Sequence, residues 1–219
     1  MYDLHTHSYH SDGVLGLAEL ARRCEVLGCR GLAVTDHCDR ANLESVLAAA
    51  RLFCESWGTL FGEMKILAGC ELTHAPPSQI PALIAEARQR GADLVLVHGE
   101  TVVEPVARGT NMAAIEGGAD VLAHPGLITE EEVALAAEKG IRLEITARKG
   151  HCLTNGHVAR LALQYGCKLS FGSDGHAPGD YQRPGNALSV LTGAGLTGEQ
   201  AQRVMKCNEE LFTRRRNDA

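Results

Sequence analysis

The sequence predicts an α/β barrel, and three observations lead to that fold class. Short apolar runs alternate with helix-like stretches, which is typical of a parallel sheet covered by helices. Six of the runs end in His, Asp or Glu, and a barrel brings the carboxyl ends of its strands to one face. The length of 219 residues fits one such domain. An open sheet would also explain the alternation, but a closed barrel better explains how side chains from different strands could meet.

Seven buried strands are predicted from short runs rich in Val, Leu, Ile and Ala. Seven helices are predicted between and after them, and several stop at a glycine that opens the next strand, as a helix C-terminus would. The strands cover residues 2–5, 31–35, 65–70, 93–97, 120–123, 141–145 and 168–172; the helices cover 17–27, 43–57, 80–90, 112–117, 130–139, 156–165 and 198–212; the glycines are Gly28, Gly91, Gly140 and Gly166.

Composition indicates one enzyme-sized domain over residues 1–219, because no linker, repeat or low-complexity tract divides the chain. The 21 Lys and Arg against 27 Asp and Glu give a net charge of −6, which argues against a general nucleic-acid binder. The one charge run, Arg214–Arg216, is interpreted as a solvated helix end.

No apolar stretch approaches the roughly 18–20 residues needed to span a bilayer, and no signal-peptide pattern follows Met1. We therefore expect a cytoplasmic protein. Eight cysteines occur without a CxxC pair, so most are expected to be reduced core thiols. Cys38 and Cys70 adjoin candidate metal ligands and stay open as additional ligands, although burial as small apolar residues is the more usual role.

The strings His5-Thr6-His7 and Ser173-Asp174-Gly175-His176 carry the most chemical information. Each places two metal-binding side chains at positions i and i+2, which share one face of an extended strand. Single residues of the same kind end other strands. These are His37 in Thr35-Asp36-His37, Glu71, His98 and His124.

Read in order, His5-Thr6-His7, Ser11-Asp12-Gly13, Thr35-Asp36-His37, Glu71, His98, Ala123-His124-Pro125 and Ser173-Asp174-Gly175-His176 resemble the polymerase and histidinol phosphatase (PHP) family. The match runs from residue 5 to residue 176. The resemblance implies a distorted (β/α)7 TIM-like barrel with a trinuclear metal centre.

The resemblance also implies a set of metal ligands. His5, His7, Glu71 and Asp174 would bind a first ion, and Glu71 would bridge to a second ion bound by His98 and His124. A third ion would be held by Asp12, His37 and His176. The family has Asp or His at the position of Asp12, and His10 is two residues away, so either could be the ligand; we favour Asp12. Asp36 is expected to orient a His or to cap a helix.

This mixture of imidazole and carboxylate suits Zn, Mn or Fe, with up to three divalent ions per chain. Three divalent ions would contribute a charge of +6, and the carboxylates of Asp12, Glu71 and Asp174 a charge of −3. With neutral histidines the pocket would carry a charge near +3 and would attract a phosphate dianion. Hydroxide generated at the bridged ions would attack phosphorus while the ions neutralise charge on the other oxygens.

Two arginines are candidates for the substrate phosphate. Arg148 follows the sixth strand with the parity of Glu144 and Thr146, so its guanidinium is predicted to face the mouth of the barrel. Arg183 lies in the loop after the Ser173–His176 string. His151 is a further candidate, whereas Lys149 and His157, like His74, are expected to be surface residues or outer neighbours of the ligands. Asp174, His176 and Arg148 are the predicted catalytic residues.

These residues predict a metal-dependent phosphoesterase that hydrolyses a phosphomonoester of a small metabolite, with histidinol phosphate suggested only by the family name. The alternatives are a phosphodiesterase or exonuclease acting on nucleotides, a hydrolase of C–N bonds, and a metal-binding module without catalysis. No membrane partner is expected and a nucleic-acid partner is not favoured, while the oligomeric state is left open.

Overall fold

A computed structural model describes residues 1–60 and 64–213, so Arg214–Arg216 lie outside the described residues. Within these ranges the strands form one parallel sheet in the order β1-β2-β4-β5-β6-β7-β8, with the short β3 paired to β4. The strands are β1 Tyr2–Asp3, β2 Gly31–Val34, β3 His37–Cys38, β4 Lys65–Leu72, β5 Leu94–His98, β6 Val121–Ala123, β7 Arg142–Thr146 and β8 Leu169–Gly172.

Helices follow the strands and cover the outside of the sheet, so the predicted α/β TIM-like barrel is confirmed. Their bounds agree with the predicted bounds to within three residues, except that α7 was not predicted. In chain order they are α1 Leu17–Val26, α2 Leu43–Leu60, α3 Ile80–Gln89, α4 Thr110–Gly117, α5 Glu130–Lys139, α6 Asn155–Tyr165, α7 Pro184–Gly193 and α8 Gly198–Thr213. None of the helices in the described ranges is long and apolar enough to cross a bilayer.

Alternation along β5 shows how the barrel is filled. Leu94 and Leu96 pack inside with Leu4 and Leu67, whereas Val95 and Val97 belong to the cluster that packs against the helices. His98 continues the parity of Leu94 and Leu96, so its side chain faces inward at the carboxyl end of the strand. The same parity rule brings polar side chains into the mouth from neighbouring strands.

The two edge strands, β1 and β8, almost close the sheet. Past the ends of these strands, the backbone N–H of Asp174 donates to the carbonyl oxygen of His5 at 2.8 Å, and that of His7 donates to Gly175 at 2.9 Å. At the amino end, the buried Asn208 of α8 fills the gap instead. Its amide nitrogen donates to the carbonyl oxygens of Tyr2 and Phe171 at 2.8 and 2.7 Å, and its oxygen accepts from the N–H of Phe171 at 3.2 Å.

We expect Asn208→Ala to lower the free energy of unfolding by about 2–4 kcal/mol, because it leaves buried backbone groups of two strands without partners. Urea denaturation of this variant beside Lys206→Ala, an exposed change on the same helix, measures the difference. Equal stability of the two variants would mean that α8 does not close the barrel through this side chain.

Candidate metal centre

The carboxyl ends of the strands bring all nine predicted ligands together. Nitrogen and carboxylate oxygen atoms of neighbouring ligands lie 2.7–3.8 Å apart, and the ring centroid of His98 lies 4.5 Å from that of His124. Most of these side chains are buried, although Asp12 is exposed. The nine are His5, His7, Asp12, His37, Glu71, His98, His124, Asp174 and His176.

His5, His7, Glu71 and Asp174 form the deepest group. The Nε2 atoms of the two histidines lie 3.4 and 3.7 Å from Oε2 of Glu71, and 3.8 and 3.3 Å from Oδ1 of Asp174. Both Nε2 atoms are buried without a hydrogen-bond partner in the described part of the chain. Ligand bonds of about 2.0–2.2 Å put two ligand atoms roughly 3–3.5 Å apart, so this group has the spacing and the unpaired nitrogens that a divalent ion requires.

Glu71 faces two groups of histidines at once. Its Oε2 lies 2.7 Å from Nδ1 of His37 and faces His5 and His7, while its Oε1 lies 3.5 Å from Nε2 of His124. His124 in turn belongs to a second group with His98. Although burial would raise its pKa, the surrounding imidazoles hold the pKa of Glu71 well below its usual range, so the carboxylate is ionised. A carboxylate shared in this way is suited to bridge two ions.

A third group contains Asp12, His37 and His176. Oδ1 of Asp12 lies 3.5 Å from Nε2 of His37 and 3.1 Å from Nε2 of His176, and these imidazoles hold the pKa of Asp12 below its usual range despite its partial burial. The ring of His10 lies tilted against that of Tyr9, with centroids 4.5 Å apart, and His10 belongs to none of the candidate metal groups among the described residues. The geometry therefore favours Asp12 over His10.

Asp36 holds the turn that presents Asp12, which differs from the expected role of orienting a His or capping a helix. Its carboxylate accepts from the backbone N–H of Ser8 at 2.6 Å and from the hydroxyls of Ser8 and Ser11, both at 2.7 Å. Asp36 thus acts on the centre through the backbone of this loop.

Glu144 of β7 orients two of the predicted ligands, a role that was not predicted for it. Its Oε1 lies 2.8 Å from Nδ1 of His5, and its Oε2 accepts from the N–H of His124 at 3.0 Å. A carboxylate on Nδ1 fixes the ring and leaves Nε2 for a metal. An acidic residue inside an otherwise apolar run was the signal that could have identified it.

Gly172 shows why a glycine precedes the Ser173–His176 string. A Cβ at this position would lie 2.1 Å from Oε1 of Glu144 and 2.6 Å from Cβ of His5, so any larger residue would separate that pair. Strain is stored nearby, because His124 and Asp174 have φ values of 27° and 52°. Non-glycine residues in this region are uncommon and cluster at functional sites.

The charge distribution is uneven within the deepest group. Burial disfavours charge on both rings, but Glu144 and Glu71 raise the pKa of His5 well above its usual value. Burial dominates for His7 and lowers its pKa to about 4. A neutral imidazole is the form that binds a metal, so His7 is already in that form near neutral pH.

Arg148 and Arg183 have different surroundings. Nη1 of Arg148 lies 3.2 Å from Oδ2 of Asp180, which also accepts from the N–H of His176 at 3.0 Å. Arg148 is therefore beside the third group. Arg183 is exposed, and its neighbour Pro184 lines a cavity with Met1 at the amino end of the barrel, which disfavours a role for Arg183 in the mouth.

Two further side chains at the mouth, Glu104 and His151, have surroundings that the sequence did not predict. Contact with His98 lowers the pKa of Glu104 to about 2, and burial lowers the pKa of His151 to about 4. His151 forms a candidate metal group with His98 and His124, although it was expected only as a possible substrate contact.

The cysteines stay outside this constellation. Cys38 and Cys70 are buried, and neither appears in the candidate metal groups of the described residues. The hydrogen bond with Cys70 and burial both raise the pKa of the Cys38 thiol, which disfavours the thiolate that binds metals. Both residues pack in the cluster between the sheet and the helices.

Comparison with known proteins gives a family and several relatives. A family model described as the PHP domain matches residues 3–165, which leaves the Ser173–His176 string outside the matched range. An uncharacterized protein of Methanocaldococcus jannaschii is 42% identical over 205 residues, covering 93% of this chain and 94% of that protein. A probable phosphatase of Syntrophotalea carbinolica is 26% identical over 219 residues, covering 90% and 89%.

Solved structures share the fold at low identity. A chain of archaeal ribonuclease P with mature tRNA superposes with a TM-score of 0.70 at 15% identity, covering 96% of this chain and 90% of that one. Histidinol phosphate phosphatase of Lactococcus lactis, complexed with zinc, L-histidinol and phosphate, superposes with a TM-score of 0.62 at 15% identity, covering 90% and 94%. At this identity the two likenesses establish the fold only.

Proposed function

This chain belongs to the PHP domain family, and from that premise we propose that it is a metal-dependent phosphatase that hydrolyses a phosphomonoester of a small metabolite. Family membership, the probable-phosphatase relative and the fold shared with histidinol phosphate phosphatase together support a hydrolase of the phosphatase class. The choice of a small phosphomonoester as substrate and of hydroxide as the nucleophile goes beyond what these comparisons support and is part of the proposal.

The observation that carries the proposal is the position of Glu71 between two histidine groups. Oε1 of Glu71 and the nearby Nε2 atoms of His5 and His7 are buried without a hydrogen-bond partner in the described ranges, and leaving these polar atoms uncompensated would be costly. The arrangement supports closely spaced divalent ions, which is the geometry used to hydrolyse phosphate esters.

We assign three ions to the three groups. His5, His7, Glu71 and Asp174 would hold the first, Glu71, His98 and His124 the second, and Asp12, His37 and His176 the third. Zn, Mn and Fe are the candidates, because imidazole with carboxylate suits all of them. When bound, such ions supply an acidified water as the nucleophile and neutralise charge on the phosphoryl oxygens.

The remaining tasks fall to the side chains of the chain itself. Glu144 fixes the ring of His5 so that Nε2 faces Glu71 and Asp174. Arg148, held by Asp180 beside His176, would bind the substrate phosphate through its planar guanidinium. Asp174 and His176 are assigned as catalytic residues because they would hold the ions that contact the phosphate.

The substrate class can be tested with phosphate monoesters, phosphate diesters and an amide, each assayed with Zn, Mn and Fe on protein of measured metal content. We expect turnover of monoesters, since a single metal-lined mouth with one arginine suits a terminal phosphate. Cleavage of diesters would instead support a nuclease, and amide cleavage a C–N hydrolase. A fully metallated protein without turnover would support a binding module and contradict the proposal.

The partner, the domain organisation and the cellular location of this protein stay predictions. A small phosphate ester is proposed as the partner, and the diester arm of the assay tests the prediction that nucleic acid is not a substrate. The single domain over residues 1–219 and the cytoplasmic location are likewise predictions.

A further inference from the structure

A carboxylate outside the predicted ligand set, Glu104, lies against three histidines at the mouth of the barrel. It comes from the loop between β5 and α4. Its Oε2 is 3.1 Å from Nε2 of His98 and 3.5 Å from Nε2 of His74, and its Oε1 is 3.4 Å from Nε2 of His151. These nitrogens come from three separate parts of the barrel face, so the loop is folded over the centre and not simply exposed beside it.

The surroundings of His98 suit a cation between its ring and Glu104. Nδ1 of His98 lies 3.2 Å from the carbonyl oxygen of the next residue, which can only accept, so Nδ1 carries the proton. In the neutral ring Nε2 then presents a lone pair to a carboxylate oxygen 3.1 Å away. His176 repeats this arrangement: its Nδ1 faces a backbone carbonyl at 2.9 Å and its Nε2 faces Asp12 at 3.1 Å. Glu104 is therefore placed relative to the Nε2 atom of His98 in the same way as Asp12 is placed relative to that of His176.

His151 has the features of a metal-binding imidazole. It is buried, and its Nδ1 lies 2.7 Å from the hydroxyl of the buried Thr101, which fixes the ring. An outer partner on one ring nitrogen is characteristic of histidines that bind metal through the other nitrogen. One nitrogen each of His98, His124 and His151 lies within 4.8 Å of the others, and the free Nε2 of His151 is the atom that faces Glu104.

We propose that Glu104 and His151 are ligands of the second metal ion, in addition to Glu71, His98 and His124. The inference rests on the metal centre of the proposed function, but it concerns binding and not hydrolysis. Three imidazoles and two carboxylates nearly fill the coordination shell of a first-row ion. A site filled by protein ligands holds its ion firmly, whereas sites with open positions are those that accept water and substrate. The second ion is therefore the most firmly bound of the three.

Zinc binding to metal-stripped protein tests this directly, using competition with a chromophoric chelator and elemental analysis of the dialysed complex. We expect Glu104→Gln and His151→Gln each to weaken the binding of one zinc ion by at least about tenfold, while the other ions bind with wild-type affinity. Glu104 is 38% exposed on a loop, so its replacement should leave folding intact, and circular dichroism verifies this.

Matched controls come from the same segments. Glu100→Gln changes a carboxylate of the same loop that accepts from backbone N–H groups of Gly109 and Asn111, bonds that a glutamine oxygen can keep. His157→Gln changes a half-buried imidazole bound to the carbonyl of Ile128. Both controls should bind zinc as the wild type does.

Unchanged zinc affinities in both Glu104→Gln and His151→Gln would overturn the inference and leave Glu104 as a loop anchor that pairs with protonated histidines. The test of the two additional ligands can fail or succeed independently of the proposed phosphatase activity. Wild-type protein that binds zinc but hydrolyses no phosphate ester would refute the phosphatase, whereas the loss of one ion in these variants would still establish the two additional ligands.

Discussion

Glu71→Gln is expected to lower kcat/KM for a phosphate monoester on the order of a thousandfold, about 4 kcal/mol of transition-state stabilisation. The change keeps the size of the side chain but removes the charge whose two oxygens face different histidine groups. Because one carboxylate would serve two ions, a single substitution should reduce metal content at two sites. Elemental analysis and steady-state kinetics on the same sample measure both effects.

Glu138→Gln is the matched control, since it makes the same change on the exposed face of α5. It should retain wild-type metal content and kinetics. His98→Ala extends the test to the second ion alone. If Glu71→Gln and His98→Ala both retained full metal content and activity, the ligand assignment would be wrong.

Arg148→Ala is expected to lower kcat/KM by about a hundredfold while leaving bound metal intact. The guanidinium is held by Asp180 next to the backbone of His176, so it can contact a phosphate at the third group without binding an ion itself. Loss of an interaction made equally with substrate and transition state raises KM, and one that strengthens in the transition state also lowers kcat. Kinetics on phosphate esters, with metal analysis, separate these effects.

Arg148→Lys should recover only part of the activity, because an ammonium group cannot reproduce the two parallel hydrogen bonds of a guanidinium. Arg160→Ala, an exposed change on α6, controls for the loss of a positive charge. Kinetics of Arg148→Ala equal to those of the wild type would place the residue outside the substrate pocket.

The fold could be predicted because local signals agree with one another. Glycines end helices at Gly28, Gly91, Gly140 and Gly166, and all four have positive φ in the structure. Strand ends were recognisable because apolar runs stop at a His or a carboxylate. Helix α7 was missed: Pro184 is a good first helical residue, but the glycines and serine that follow lower helix propensity and give no clear apolar period.

Other features depend on tertiary contacts that local patterns do not encode. Glu104 lies in an irregular loop, and only the folded barrel brings it to His151. His151 lies in a short 3-10 turn, where no strand parity indicates its direction. Closure of the sheet by Asn208 joins residues at opposite ends of the chain, such as Tyr2. The contacts of Glu104 with His151 and of Asn208 with Tyr2 join distant parts of the chain, so sequence spacing alone could not predict them.

The metal content of the purified wild-type protein tests the central claim most directly, because every proposed role depends on ions held by the nine convergent side chains. After growth in metal-replete medium, elemental analysis should find about two to three transition-metal ions per chain. A content below about one ion per chain under the same conditions would contradict the metal centre.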